Sequence, residues 1–324
     1  VESKYSKKYV IETGIGLQDV DGLKNSAYFL NESDRYIKGE ISLEELDRIV
    51  ASYYENKPAE DERQGEADKV ATRIAKIISE DSFVFSVGQL MAIHRSLFDG
   101  ILEHLGEPRT YNFTKKEWVL DGASVTYGDF RELQATLQYD FEQERKFRYD
   151  LLTIDGAIDH LALFVSNLWQ IHAFEEGNTR ATAVFFIKYL RTLGFDVTND
   201  TFAKNAWYFR NSLVRANYTN IVKGIHADRS YLVLFLRNLV LGETNQLKNK
   251  DLHISSPKLV SVRPREARIL RLMKEEPDIT ADRIAKELGV SLRTAKSLIK
   301  ALEDEGKVKR VGGRKFGRWV VVDR

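Results

Sequence analysis

The 324-residue chain has no cysteine, so disulfides and thiolate metal sites are excluded and a reducing compartment is compatible with its composition. Proline is scarce, with five residues, which leaves most segments free to read at helical period. No stretch approaches about 18 uninterrupted apolar residues, so nothing reads as a membrane span. The opening "VESKYSKKYVIETG" lacks the apolar run of a signal peptide. The six histidines show no HxH or HExxH spacing, which argues against a zinc hydrolase. There is no P-loop or dinucleotide fingerprint, and no internal repeat. "GIGLQDVDG" (14–22) is glycine-rich by a weak count only. The expectation is a soluble, cytoplasmic protein of about two domains at ~150 residues each.

What is present is unevenly distributed. Hydrophobic residues make up 43% of the chain, ample for a packed core. The formal net charge of +1 hides an asymmetry. Residues 258–324 hold 18 Lys+Arg against 10 Asp+Glu, a net of +8, while the rest of the chain carries −7. A basic tail on an acidic body suggests that the tail meets an anion.

Several helices are legible. "ISLEELDRIVASYY" opens with Ser42 and Glu45, a capping-box pattern, and then places Leu43, Leu46, Ile49, Val50 and Tyr53 on one face. The polar run 55–68 reads as a loop before the helices "KVATRIAKIISE" and "SVGQLMAIHRSLFDGIL". In 117–127, "EWVLDGASVTY", an Asp121-Gly122 pair sits between short runs rich in β-formers, which predicts a small hairpin. Two apolar helices follow, over 154–170 and 180–194, the second stopped by Gly194. The polar stretch 243–258 has no apolar period and reads as a linker.

Beyond it three helices and a two-stranded wing are expected. The first starts near Pro264, the second is capped by Thr280, and the third is capped by Ser291 and stopped by Gly306. The pattern resembles the winged helix-turn-helix family, members of which bind DNA or protein partners. That resemblance makes the third helix the reader of the major groove, with Arg293, Thr294, Lys296, Ser297 and Lys300 on its polar positions. Arg310, Arg314, Lys315 and Arg318 of the wing would neutralise phosphates.

The stretch between the two apolar helices, "HAFEEGNTR" (172–180), carries the densest chemistry. His172 is a base near neutral pH. Glu176 is a hard oxygen ligand of the kind Mg²⁺ uses beside phosphates. Gly177 permits a positive φ, Asn178 adds an amide donor, and Arg180 a planar fork for phosphate oxygens. A following helix N-terminus favours anions. The alternative is a polar turn whose residues are solvated or structural.

The string resembles the Fic family motif, His-Pro-Phe-x-(Asp/Glu)-Gly-Asn-(Gly/Lys)-Arg-x-x-Arg. Family enzymes usually transfer AMP from ATP to a protein hydroxyl. The resemblance implies that His172 deprotonates the target Ser, Thr or Tyr, Glu176 holds Mg²⁺, and Gly177 and Thr179 flank the anion nest. Asn178 would meet the α-phosphate and Arg180 the β/γ-phosphates. Asn217 and Tyr218, in "RNSLVRANY", would line the adenosine pocket. The hairpin residues Glu117, Trp118, Val119 and Leu120 would form the flap that holds a target strand. Three positions depart from the motif: Ala173 stands for Pro, Thr179 for Gly or Lys, and Ala183 for the second arginine. Losing that charged contact, worth ~1.5–3 kcal/mol, leaves the donor nucleotide open. An inhibitory segment of the family resembles Ser26-x-x-x-Leu30-Asn31, with Leu30 where a glutamate belongs.

The expected architecture is mainly α: a helical arm over 1–64, a Fic-like domain with a hairpin flap over 65–245, a linker over 246–257, and a winged helix over 258–324. The expected activity is Mg²⁺-dependent transfer of AMP or a related moiety from ATP to a protein hydroxyl. The alternative is a DNA-binding transcriptional regulator whose Fic-like core senses a nucleotide. Expected partners are a target protein and, through the wing, DNA. No membrane is expected, and a homo-oligomer is left open.

Overall fold

The computed structural model describes residues 4–55, 62–255, 264–304, 306–312 and 317–322. Its helices are α1 (Lys7–Gly16), α2 (Ala27–Lys38), α3 (Leu43–Tyr54), α4 (Glu62–Ser79), α5 (Val87–Phe98), α6 (Leu133–Lys146), α7 (Ile154–Ile171), α8 (Asn178–Thr192), α9 (Thr201–Ala216), α10 (Ser230–Leu241), α11 (Asn249–Leu252), α12 (Pro264–Glu275), α13 (Ala281–Leu288) and α14 (Leu292–Asp304). The strands β1 (Val308–Val311) and β2 (Arg318–Val321) pair antiparallel. The chain forms two compact units, residues 1–147 with 162–256, and residues 148–161 with 257–324.

In the first unit α8 is buried along its whole length from Asn178 to Leu190. A helix apolar on nearly every side must be enclosed, and this one carries the motif at its start. An aromatic cluster of Phe85, Phe141, Phe164, Phe185 and Tyr189 fills one flank. The N-terminal helices are part of this body. At Gly14 of α1 a Cβ would sit 2.3 Å from the Ala71 carbonyl oxygen of α4, and at Gly16 equally close to that of Ala203 in α9. Only glycine allows so close an approach.

The capping box at Ser42 and Glu45 is present, and Gly194 follows α8 at φ 86°. Two expectations change. Residues 62–68 are helical rather than looped, because α4 starts at Glu62. Their charge hides a packed face: Gly65 lies under the Tyr54 ring, and the Asp68 carboxylate is buried. The expected hairpin at 117–127 is a compact turn with a 3-10 segment at Trp118–Leu120. Asp121 and Gly122 both have positive φ, as the dipeptide predicts, and Glu117 N–H donates to the Ala123 carbonyl at 3.0 Å. The flanking residues form no ladder.

In the second unit α12, α13, α14 and the strand pair enclose a core that includes Ile269, Met273, Ile284, Leu288, Ile299, Leu302 and Trp319. Thr280 caps α13 by accepting from Arg283 N–H at 3.2 Å, and Ser291 accepts from Thr294 N–H at 3.1 Å at the start of α14. These are the caps the sequence predicts.

Asp68 ties α2, α3 and α4 together. Its carboxylate accepts from Asn25 Nδ2 and Ser26 N–H at 3.0 Å, Ser26 Oγ at 2.6 Å and Tyr54 OH at 2.7 Å. Asp68→Ala would strand several buried donors and is expected to cost about 3 kcal/mol or more, whereas Tyr54→Phe removes one hydrogen bond and costs about 1 kcal/mol. Urea unfolding of the two variants checks the ranking.

Candidate active site

The motif occupies the turn from α7 to α8. His172 leaves α7 with φ 52°, in the left-handed region, where a non-glycine residue is held by its surroundings. Arg109 does much of the holding. It is buried and donates from Nε to the His172 carbonyl at 2.8 Å, from Nη1 to the Tyr111 carbonyl at 2.6 Å, and from Nη2 to the Gly128 carbonyl. Its backbone N–H donates to the Ala173 carbonyl at 2.8 Å. One guanidinium thus joins the motif turn to both ends of the 111–128 flap.

The His172 ring is 3% exposed. It stacks on Tyr127 at 4.0 Å between centroids and meets Phe113 and Trp169 edge-on. Nδ1 lies 3.3 Å from the Trp169 carbonyl. A carbonyl only accepts, so Nδ1 carries the proton and Nε2 keeps its lone pair. Nε2 has no hydrogen-bond partner among the described residues. Burial, reinforced by the charges of Lys115, Arg109 and Arg210, holds the pKa well below that of an ordinary histidine. The ring is a neutral acceptor at neutral pH.

Gly177 has φ 71° and precedes α8. A Cβ there would lie 2.3 Å from the Phe98 ring, so glycine is required by space as well as by backbone angle. Asn178 closes the turn on itself: Oδ1 accepts from Phe174 N–H at 2.9 Å and Nδ2 donates to the Phe174 carbonyl at 2.7 Å. Thr179 Oγ1 accepts from Trp169 Nε1 at 2.9 Å, bolting α8 to α7. Its hydroxyl explains a threonine at this position.

Arg180 is 2% exposed and faces the N-terminal helices. Nη2 donates to Glu66 Oε1 at 2.6 Å and Nη1 to Gln18 Oε1 at 3.1 Å. Nε lies 2.9 Å from Asp21 Oδ2, at an angle that makes the contact Coulombic rather than a hydrogen bond. The fork expected to grip phosphates is therefore engaged by two carboxylates. One of them, Asp21, comes from "GIGLQDVDG" (14–22). Leu30 lies exposed on α2 and Ala183 is buried in α8.

Glu176 is the open carboxylate of the turn, with its side chain 61% exposed and Lys115 Nζ at 3.8 Å. No group of three or more metal-ligating side chains occurs among the described residues. A single exposed carboxylate fits the mode in which Mg²⁺ takes one protein ligand and completes its shell with water and phosphate oxygens. Asn217 Nδ2 donates to the Ser166 and Leu213 carbonyls, both at 3.0 Å, so its amide joins α9 to α7. Tyr218 is buried, and its hydroxyl accepts from Asn220 at 3.3 Å.

The four flap residues differ in kind. Glu117 is buried, paired with Arg210 at 2.5 and 3.1 Å, and accepts from Tyr127 OH at 3.2 Å, so it is not a target-facing side chain. Val119 and Leu120 are buried, while Trp118 is 49% exposed.

His94 was not singled out in the sequence. Nδ1 accepts from Gly106 N–H at 3.0 Å, which leaves Nε2 as the donor to the Glu176 carbonyl at 3.1 Å. Its ring stacks on Phe174 at 3.8 Å. A lone histidine in an apolar helix gives no hint of this role.

In the second unit Arg293, Thr294, Lys296, Ser297 and Lys300 are all exposed on α14, opposite buried Ala295, Ile299 and Leu302. Arg310 and Arg318 lie exposed on the strands, and Arg314 and Lys315 fall outside the described residues.

Burial pushes the His94 pKa down to about 4. The folded state thus refuses a proton that the unfolded chain takes up below about pH 6.5. Stability is full above that value and is lost as pH falls toward 4, by up to ~3 kcal/mol for this residue. Denaturation midpoints measured from pH 7 to 4 should fall less steeply in His94→Gln than in the parent.

Residues 84–190 match the model of the Fic/DOC family, and residues 264–309 match a winged helix-turn-helix DNA-binding model. No curated protein matches the chain. Among solved structures it is similar to a Fic family protein from Desulfovibrio desulfuricans G20, with 13% identity and a TM-score of 0.42, over 98% of this chain and 88% of that one. Residues 84–190 of this chain are thus a Fic/DOC family domain, accompanied at 264–309 by a winged helix-turn-helix.

Proposed function

We propose that this protein transfers a nucleoside monophosphate from a nucleoside triphosphate to a hydroxyl of a protein target. The observation that carries the reading is the state of His172: neutral, proton on Nδ1, lone pair on a buried and unpartnered Nε2. Nε2 takes the proton of the target hydroxyl while its oxygen bonds to the α-phosphorus and the bond to pyrophosphate breaks. Mg²⁺ held by Glu176 would neutralise phosphate charge. The start of α8 supplies an N-terminal dipole toward anionic oxygens, and Lys115 adds a cation near His172.

ATP is the first donor to test, but the phosphate grip differs from the motif's. Ala183 offers no charge, and Arg180 already holds Asp21 and Glu66. The engaged arginine favours a second reading, a regulator that binds a nucleotide without transferring it. In either reading the exposed basic face of α14 supports DNA as the partner of the winged helix.

Incubation with each of the four radiolabelled triphosphates and Mg²⁺ separates the readings. Transfer to the protein itself or to a lysate target is expected, and His172→Ala should reduce it by about 100- to 10,000-fold. Nucleotide binding by calorimetry with no label transferred would instead establish the regulator.

A further inference from the structure

The stretch 249–255, which reads as linker, is packed against the flap. Leu252 is fully buried. Asn249 Oδ1 accepts from Asn211 Nδ2 at 2.8 Å, and the Asp251 carbonyl accepts from Tyr231 OH at 2.9 Å, which anchors the segment on α9 and α10. From there it crosses the flap tip. Ile254 N–H donates to the Val119 carbonyl at 2.9 Å. His253 Nε2 lies 3.4 Å from Asp121 Oδ1, and its ring meets the Trp118 ring edge-on at 4.9 Å. Three groups of the flap tip, the Trp118 ring, the Val119 carbonyl and the Asp121 carboxylate, are thus all contacted by two residues of the same chain.

The flap tip is coupled to the base. Glu117, at the foot of the tip, accepts from Tyr127 OH, and the Tyr127 ring lies on His172. Phe113, from the other arm of the flap, closes the edge of the same imidazole. In this arrangement no protein hydroxyl reaches Nε2, because the atom is buried under flap side chains. The flap must rise for a target to enter, and the segment that crosses its tip must first let go.

We propose that residues Asn249–Ser255 are a strap that holds the flap down over His172, so that release of the strap uncovers the base. This deepens the transfer reading, on which its regulatory meaning rests; the covering of His172 does not depend on that reading. The strap also lies nine positions before Pro264, the first residue of the winged helix. A target that binds the flap competes for the Val119 carbonyl, the Trp118 ring and the Asp121 carboxylate. Glu117 and Arg210 also hold the flap, through their buried ion pair, and they are the rival account of its closure.

The full chain carrying His253→Ala with Ile254→Pro loses the Asp121 contact, the ring contact and the N–H donor together. Diethyl pyrocarbonate attacks a neutral, accessible imidazole, and peptide mass spectrometry reads it at His172 alone. Hydrogen exchange of the strap and flap peptides shows whether the strap has left. In the double variant the strap should exchange faster, the 113–128 peptides should follow, and His172 should react about tenfold faster. Asp121→Asn, which suits the same backbone angle, should give a smaller rise. A released strap with an unchanged flap and an unreactive His172 would overturn the proposal in favour of the Glu117–Arg210 pair. A strap that exchanges no faster in the double variant would overturn it too, since its flap contacts would then hold nothing. Label transfer is a separate arm: His172 uncovered with no transfer by any triphosphate leaves the strap standing and defeats the transfer reading. Equal transfer by parent and double variant does the reverse.

Discussion

The geometry of the motif turn rests on the guanidinium of Arg109. A histidine with φ 52° turns its carbonyl away from the helix it terminates, and that oxygen is buried. The carbonyls of His172, Tyr111 and Gly128 converge on one buried space, and a planar fork with five donors satisfies them at once. The acceptors of this fork are carbonyls and the Asn112 amide, so its charge is solvated without a carboxylate hydrogen-bonded to it. That residual charge is felt at the imidazole, where it acts in the same direction as burial. One residue therefore sets the backbone of the base, fastens the two ends of the flap, and helps to keep the base unprotonated.

The opposite choice was made at Arg180. Two carboxylates flank its guanidinium, so its charge is cancelled inside the protein and spent on joining α8 to the N-terminal helices. A buried cation cannot serve two sets of anions at once. A phosphate chain seeking Arg180 must displace Asp21 and Glu66, two partly exposed carboxylates, from a guanidinium that is itself buried. With Ala183 in the next turn, the positive charge near the start of α8 rests chiefly on the helix terminus and on Lys115.

The elements that local chemistry determines were legible in the sequence. Ser42, Thr280 and Ser291 cap the helices they announce, Gly177 sits where a positive φ is needed, and the apolar period of 154–170 and 180–194 gives α7 and α8. What was not legible depends on partners distant in the chain. Residues 62–68 look like a solvated loop until Tyr54 and Ser26 are placed beside Gly65 and Asp68. Asp21 and Gln18 gain meaning only from Arg180, more than 150 positions on. Arg109 and His94 are single polar residues whose partners are mostly backbone carbonyls and N–H groups, which leave no trace in residue identity. The same holds for Ile254, an apolar residue whose contribution at the flap is an N–H.

The missing ladder in the flap bears on how the site opens. Strands paired along their length part only when a row of backbone hydrogen bonds breaks together. Here Asp121-Gly122 makes its turn, but the arms that follow are fastened by side chains: Tyr127 on His172, Glu117 on Arg210, and Arg109 on the carbonyls at either end. The Tyr127 OH–Glu117 hydrogen bond links the first two contacts, while the Arg109 clamp stands apart from both. A flap so built can lift at its tip while its ends stay fixed by Arg109, because the turn and the clamp share no hydrogen bond. His172 can then be exposed without disturbing its left-handed backbone, which separates access to the imidazole from the geometry that fixes its orientation.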